Sequence, residues 1–122
     1  MDFMNQNSRQ AGERQALLEA TQNLVNTMKA TTSYQNYRMQ CDKIDKQPSL
    51  KKRVDEYRNR NFEIQNSMMS GEEISRSLLE LQQEYSDVLD NMVVSDFLAA
   101  ELDFCRMVQN VNIKITEGLD FE

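Results

Sequence analysis

The stretch QPSLKKRVDEYRNRNFEIQNSMMSGEEI, Gln47–Ile74, decides the fold. It places Leu50, Val54, Tyr57, Ile64 and Met68 at the alternating three- and four-residue spacing of one helix face, with Asn61 at the step where another apolar residue belongs. Pro48 suits the first turn of that helix, because its missing N–H removes no intrahelical bond. Ser70-Gly71-Glu72-Glu73 then supplies a stop and a start: Gly71 tolerates the left-handed conformation, and Ser70 with Glu73 three residues later makes a capping box. A second helix, from about Glu72 to Asn91, repeats the seam with Ile74, Leu78, Leu81, Tyr85, Val88 and Met92. Two helices of roughly 20 residues, each about 30 Å long and joined by so short a turn, must lie antiparallel as a hairpin.

Outward from the hairpin the pattern stays helical. Leu17, Leu18, Leu24, Val25 and Met28 fall on one side of a first helix, which Thr31-Thr32-Ser33 interrupts with residues that favour caps. Tyr34, Tyr37, Cys41 and Ile44 mark a short second helix that closes before Pro48. After the hairpin, Ser95 is a cap candidate for a last helix reaching about Gly118, whose apolar residues, among them Phe97, Phe104 and Val111, cover more than one stripe. The expectation is an all-α, five-helix antiparallel bundle: a flexible polar arm over 1–12, one helical domain over 13–118, and a tail over 119–122. At 122 residues the chain is a single domain near the size where a second subunit commonly completes burial, so an oligomer is expected.

Composition narrows the chemistry. There is no histidine, which removes the common general base, the usual metal ligand and the Ser-His and Cys-His nucleophile pairs. Gly12, Gly71 and Gly118 are isolated, so no phosphate-cradling loop is present. Glu80, Glu84 and Asp87 line one stripe, but the di-metal pattern of helical bundles also needs Glu-x-x-His; a solvated or salt-bridged face is the reading adopted. Cys41 and Cys105 are too few for a disulfide framework and are read as free, mostly buried thiols. No run of about 18 apolar residues exists to span a bilayer and the first residues lack a secretory pattern, so a cytoplasmic protein is expected, without catalytic residues, metal or cofactor.

Charge is divided unevenly. Residues 1–61 carry 11 basic and 7 acidic side chains, net +4, and residues 62–122 carry 3 basic and 13 acidic, net −10. The basic cluster of Lys43, Lys46, Lys51, Lys52, Arg53, Arg58 and Arg60 has two readings: contacts to an anionic partner such as RNA, or pairing with the acidic half. Heptad lettering favours pairing and brings Arg53 near Glu84 across the hairpin. It also sets Asn61 opposite Leu78, which offers no hydrogen bond, so a buried amide needs a partner from the last helix, a water or a second chain and becomes a candidate for fixing how hairpins or subunits align; the alternative is partial exposure at the end of a seam. Asn61, Met68, Met69, Phe97, Phe104 and Val111 are the interface candidates. Met28, Met68, Met92 and Met107 fit apolar helix positions as core fillers, and Met69 is expected to be exposed.

The order of these pieces resembles the YlbF/YmcA family of small bacterial helical proteins. The resemblance runs over roughly 13–117, through Leu17 and Leu24, Tyr34-x-x-Tyr37, the turn Asp45–Leu50, Val54-Asp55-Glu56-Tyr57 with Asn61-Phe62, and Val94–Glu101, in which Ala100-Glu101 is the most recognisable pair. It implies an all-helical, oligomer-forming regulator without catalytic activity. Partners would be further copies or related small helical proteins, with influence on competence, sporulation and biofilm formation, in part through RNA processing by a membrane-attached endonuclease. It also implies that some assemblies carry iron–sulfur clusters on cysteines; here only Cys41 and Cys105 are available, without a clustered cysteine tail. The alternative is an RNA-binding module using the Lys43–Arg60 cluster.

Overall fold

A computed structural model describes residues 2–120, with side chains from Gln6 onward. Among the described residues there are six helices and no strand: α1 (Asp2–Lys29), α2 (Thr32–Asp45), α3 (Pro48–Gln65), α4 (Gly71–Glu84), α5 (Ser86–Leu89) and α6 (Met92–Gly118). The chain divides into two compact units, one up to Gln35 and one from Asn36 onward.

In the first unit, the stretch read as an arm is helical from Asp2 and runs without a break into α1, with residues 6–12 exposed. At the end of α1 the Thr31 hydroxyl does two jobs. It donates to the Met28 carbonyl at 2.6 Å and accepts from the Tyr34 N–H at 3.2 Å, closing one helix and opening the next as a cap residue does.

The second unit holds the core, built from Ile44 of α2, Val54 of α3, Leu81 of α4, Tyr85, Val88 of α5, and Val94 and Phe97 of α6. The hairpin seam is therefore the packing face. Leu81, Val54 and Val94 are its largest fully buried side chains.

Three boundaries differ from the sequence expectation, each for a local reason. α3 ends at Gln65 rather than near Met69, because Asn66 Nδ2 donates to the Phe62 carbonyl at 2.8 Å and Ser67 Oγ to that of Ile64 at 2.7 Å, satisfying last-turn acceptors. The hairpin's second helix is not continuous to Asn91: Tyr85, at φ −104° and ψ 21°, separates α4 from the single turn of α5, so there are six helices instead of five. The last helix is capped by Asn91, whose Oδ1 accepts from Val93 N at 2.9 Å and Val94 N at 3.4 Å, four residues before the expected Ser95. Ser70 does cap α4, accepting from Glu73 N at 3.2 Å, but Gly71 is that helix's first residue, and no described glycine has a positive φ. Of the expected tail, residues 121–122 lie outside the described residues.

Tyr85 is buried and lies at the break itself, its ring 5.7 Å from that of Tyr57. Tyr85→Ala removes a buried ring and is expected to cost about 3–5 kcal/mol, as other buried aromatic truncations do. Tyr85→Phe keeps the ring and should cost no more than about 1.5 kcal/mol. Urea unfolding of the three chains checks both values.

Candidate interaction surface

The exposed side of α3 carries most of the basic cluster, Lys51 to Arg60, and its helical spacing decides what each cation meets. Arg53 Nη2 reaches Asp87 Oδ1 at 3.0 Å and Arg60 Nη1 reaches Glu84 Oε1 at 2.7 Å. Both guanidinium groups also lie over the Tyr85 ring, their central carbons 4.6 and 5.6 Å from its centroid. Arg58 bonds Glu101 of α6 at 2.6 Å and lies over Phe97, and Lys51 bonds Asp45 at 2.7 Å. The expected Arg53–Glu84 pair is thus corrected: Glu84 goes to Arg60, one α3 heptad later, and Arg53 takes Asp87.

Of the five candidate anion contacts, Lys51, Arg53, Arg58 and Arg60 are engaged with carboxylates of the chain itself. Lys52, Lys43 of α2 and Lys46 in the turn after it make no ion pair among the described residues. Glu84 and Asp87 are both held by arginines, and no cluster of three metal-binding side chains occurs among the described residues.

These contacts shift proton affinities. The Arg60 hydrogen bond holds the Glu84 carboxyl below the usual carboxylate range, and Arg60 is raised by its bonds to Glu84 and Tyr85. Lys51 is raised by its hydrogen bond to Asp45. Tyr37 is raised, first by its hydrogen bond with Cys41 and then by burial.

The interface candidates divide. Asn61 is half-buried on the seam and finds its partners in its own helix, accepting from Gln65 Nε2 at 2.5 Å and approaching the Tyr57 hydroxyl at 3.5 Å. It therefore does not require the outside donor that the heptad lettering demanded. Met68 is fully exposed, at 103%, and Met69 is marginally so, because the early end of α3 leaves both outside any helix. Met68 and Met92 thus leave the set of core fillers, while Met28 and Met107 are half-buried. Phe97, only 6% exposed, belongs to the core and supports the surface from beneath. Phe104 stacks on Tyr37 at 5.1 Å and is half-buried, as is Val111. Both cysteines are free thiols, but the expected burial is corrected: Cys41 is half-buried and Cys105 exposed.

Two features escaped the sequence reading. One is the extent to which α1 leaves its apolar stripe in solvent: Leu17 is 69% and Leu18 64% exposed, with Leu24 and Val25 also open. The other is Gln40, only 7% exposed, whose Nε2 donates to Asn36 Oδ1 at 3.2 Å while its Oε1 has no donor among the described residues. A buried acceptor left unpaired costs about 1–3 kcal/mol. The available signal was spacing: Gln40 stands four residues before the core residue Ile44, hence on the same side of α2.

The family described as "Control of competence regulator ComK, YlbF/YmcA" matches residues 17–120. The chain belongs to this family. Its match to the YlbF/YmcA family covers α2 to α6 entirely and α1 from Leu17, so it includes both the hairpin and the open leucine stripe. Similar curated proteins are a UPF0342 protein of Caldicellulosiruptor bescii, 23% identical over 81% of this chain and 84% of its own length, and one of Staphylococcus saprophyticus, 27% identical over 85% and 92%. A third, from Symbiobacterium thermophilum, is 22% identical over 81% and 89%. No solved structure matches significantly. No helix among the described residues is long and apolar enough to cross a membrane.

The lowered Glu84 pKa fixes a sign. The Arg60–Glu84 contribution to stability is present above the ordinary carboxylate value and is lost as pH falls through the lowered one. Glu84→Gln should therefore flatten part of the acid limb of the stability curve and change stability near neutrality only slightly, since both partners are exposed. Thermal melts across pH 2–7 (about that span) check this.

Proposed function

We propose that the protein is a non-catalytic helical regulator that works by association, with further copies of itself or with related small helical proteins. The observation that carries this reading is the α1 stripe. Leu17, Leu18, Leu24 and Val25 share one face of a 28-residue helix and remain exposed, although burying a leucine is worth about 1.5–3 kcal/mol. Contiguous apolar surface of this kind marks contact sites for other proteins. Membership in a family described by control of a competence regulator agrees with a regulatory task.

The finer parts of the reading, an adaptor influencing RNA processing and developmental switching from the cytoplasm, rest on the family resemblance. Direct RNA binding through the Lys43–Arg60 cluster is the weaker alternative, because four of its cations already have carboxylate partners and phosphate would have to displace them.

Sedimentation of the full chain over a dilution series tests the reading. Self-association, or a stable complex with a related helical protein, is expected, and Leu17→Glu with Leu18→Glu should weaken it at least about tenfold, or about 1.4 kcal/mol, while helix content is kept. A solitary chain that binds no related protein, or association indifferent to the double substitution, contradicts it.

A further inference from the structure

We propose that the cavity between α2 and α3 binds a free α-amino acid with an apolar side chain. The inference stands apart from the association reading: it adds a small ligand to the molecule and names the residues that hold it. The cavity has a volume of about 260 Å³, and its apolar wall is formed by Tyr37, Cys41 and Ile44 of α2, Val54 of α3 and Phe97 of α6. That is just below the range of about 300–1,000 Å³ for drug-sized ligands, so it suits one small metabolite. All of its lining belongs to the second unit.

Charge decides which metabolite. Arg38, Asp45, Lys51, Asp55 and Arg58 line the same cavity. Two of the three cations are already answered by the chain, since Lys51 bonds Asp45 at 2.7 Å and Arg58 bonds Glu101 at 2.6 Å. Arg38 and Asp55 make no ion pair among the described residues, and Asp55 acts on Lys51 only through space, behind the Asp45 hydrogen bond. What remains is one guanidinium on α2 and one carboxylate on α3, both exposed, beside an apolar wall.

An apolar amino acid is the complement of that set. Its carboxylate meets the fork of Arg38, its ammonium meets Asp55, and its side chain lies against Val54 and Phe97. Other ligand classes answer the cavity less well. A phosphate ester brings more negative charge than one unpaired guanidinium offsets, and Asp55 repels it. A neutral apolar molecule leaves both charges unanswered, and glycine leaves the wall empty. A ligand held from both helices ties α2 to α3, so its binding stabilises the second unit by mass action.

Isothermal titration calorimetry of the full chain tests the inference, with thermal melts as a second readout. L-leucine and L-phenylalanine should bind saturably and raise the melting temperature. Glycine, N-acetyl-L-leucine and L-leucinamide, which lack in turn the side chain, the ammonium and the carboxylate, should each bind at least about tenfold more weakly. Arg38→Gln and Asp55→Asn should each weaken leucine binding to the same degree, with circular dichroism reporting helix content. Cys41 supplies the location: in the chain carrying Cys105→Ser, saturating leucine should slow alkylation of Cys41 by iodoacetamide, because the thiol forms part of the wall.

If either charge variant loses its fold, the analogue series and the Cys41 protection decide alone. No binding of leucine or phenylalanine overturns the inference. So does binding that the three analogues match, that both folded charge variants retain, or that leaves Cys41 alkylation unchanged. None of these results bears on the association reading, which keeps its own test on α1.

Discussion

Two arginines one α3 heptad apart close over a single tyrosine, and the second unit is organised around that clamp. Tyr85 stands where α4 stops, with Arg53 and Arg60 across its ring and Asp87 and Glu84 on either side of it in sequence. The buried ring supplies apolar area, the guanidinium faces cover it, and the carboxylates hold those faces in place. Each ion pair alone is exposed and contributes little; their value here is geometric, because they fix α3 to both sides of the break. α5 is then placed to bring Val88 into the core, and Asn91 restarts the chain as α6, which delivers Val94 and Phe97 to the same centre.

That centre is small for the chain it organises. Seven clustered residues with a surrounding layer of half-buried ones close the second unit, while leucines of α1 and Leu102, Ile113 and Ile115 of α6 remain in water. A lone helix is marginal in water whatever its propensity, so a 28-residue α1 with its apolar stripe uncovered has reason to seek packing elsewhere. The basic cluster, for which the sequence favoured pairing within the chain, has four of its cations held by carboxylates of the chain itself. The surface left open on the described residues is therefore marked by apolar area more than by unpaired charge.

Much of this was legible from residues alone where the determinant is local. Ser70 with Glu73 marked a helix start, Pro48 marked another, and the spacing of Ile74, Leu78, Leu81 and Tyr85 set the buried face of the hairpin. The break at Tyr85 was not legible, because the apolar ladder runs through it with no glycine or proline to signal a stop. The Arg53 partner was misplaced for a related reason: the register across the hairpin depends on where α3 ends, and the Asn66 and Ser67 side-chain bonds ended it a turn early. Asn61 fell on the expected face, but its satisfaction by Gln65, four residues on, is a matter of side-chain rotamers that periodicity does not reveal. Gln40 posed the converse problem, an ordinary polar residue in sequence that the packing of α2 on α6 buries.

The central claim, that α1 finds its packing in an assembly, is tested most directly by amide hydrogen exchange through Leu17–Met28 at two protein concentrations spanning about a hundredfold. An associating chain protects these amides more at the higher concentration, because local opening must then compete with assembly. Exchange that is rapid and identical at both concentrations, with no related helical protein able to slow it, would contradict the account.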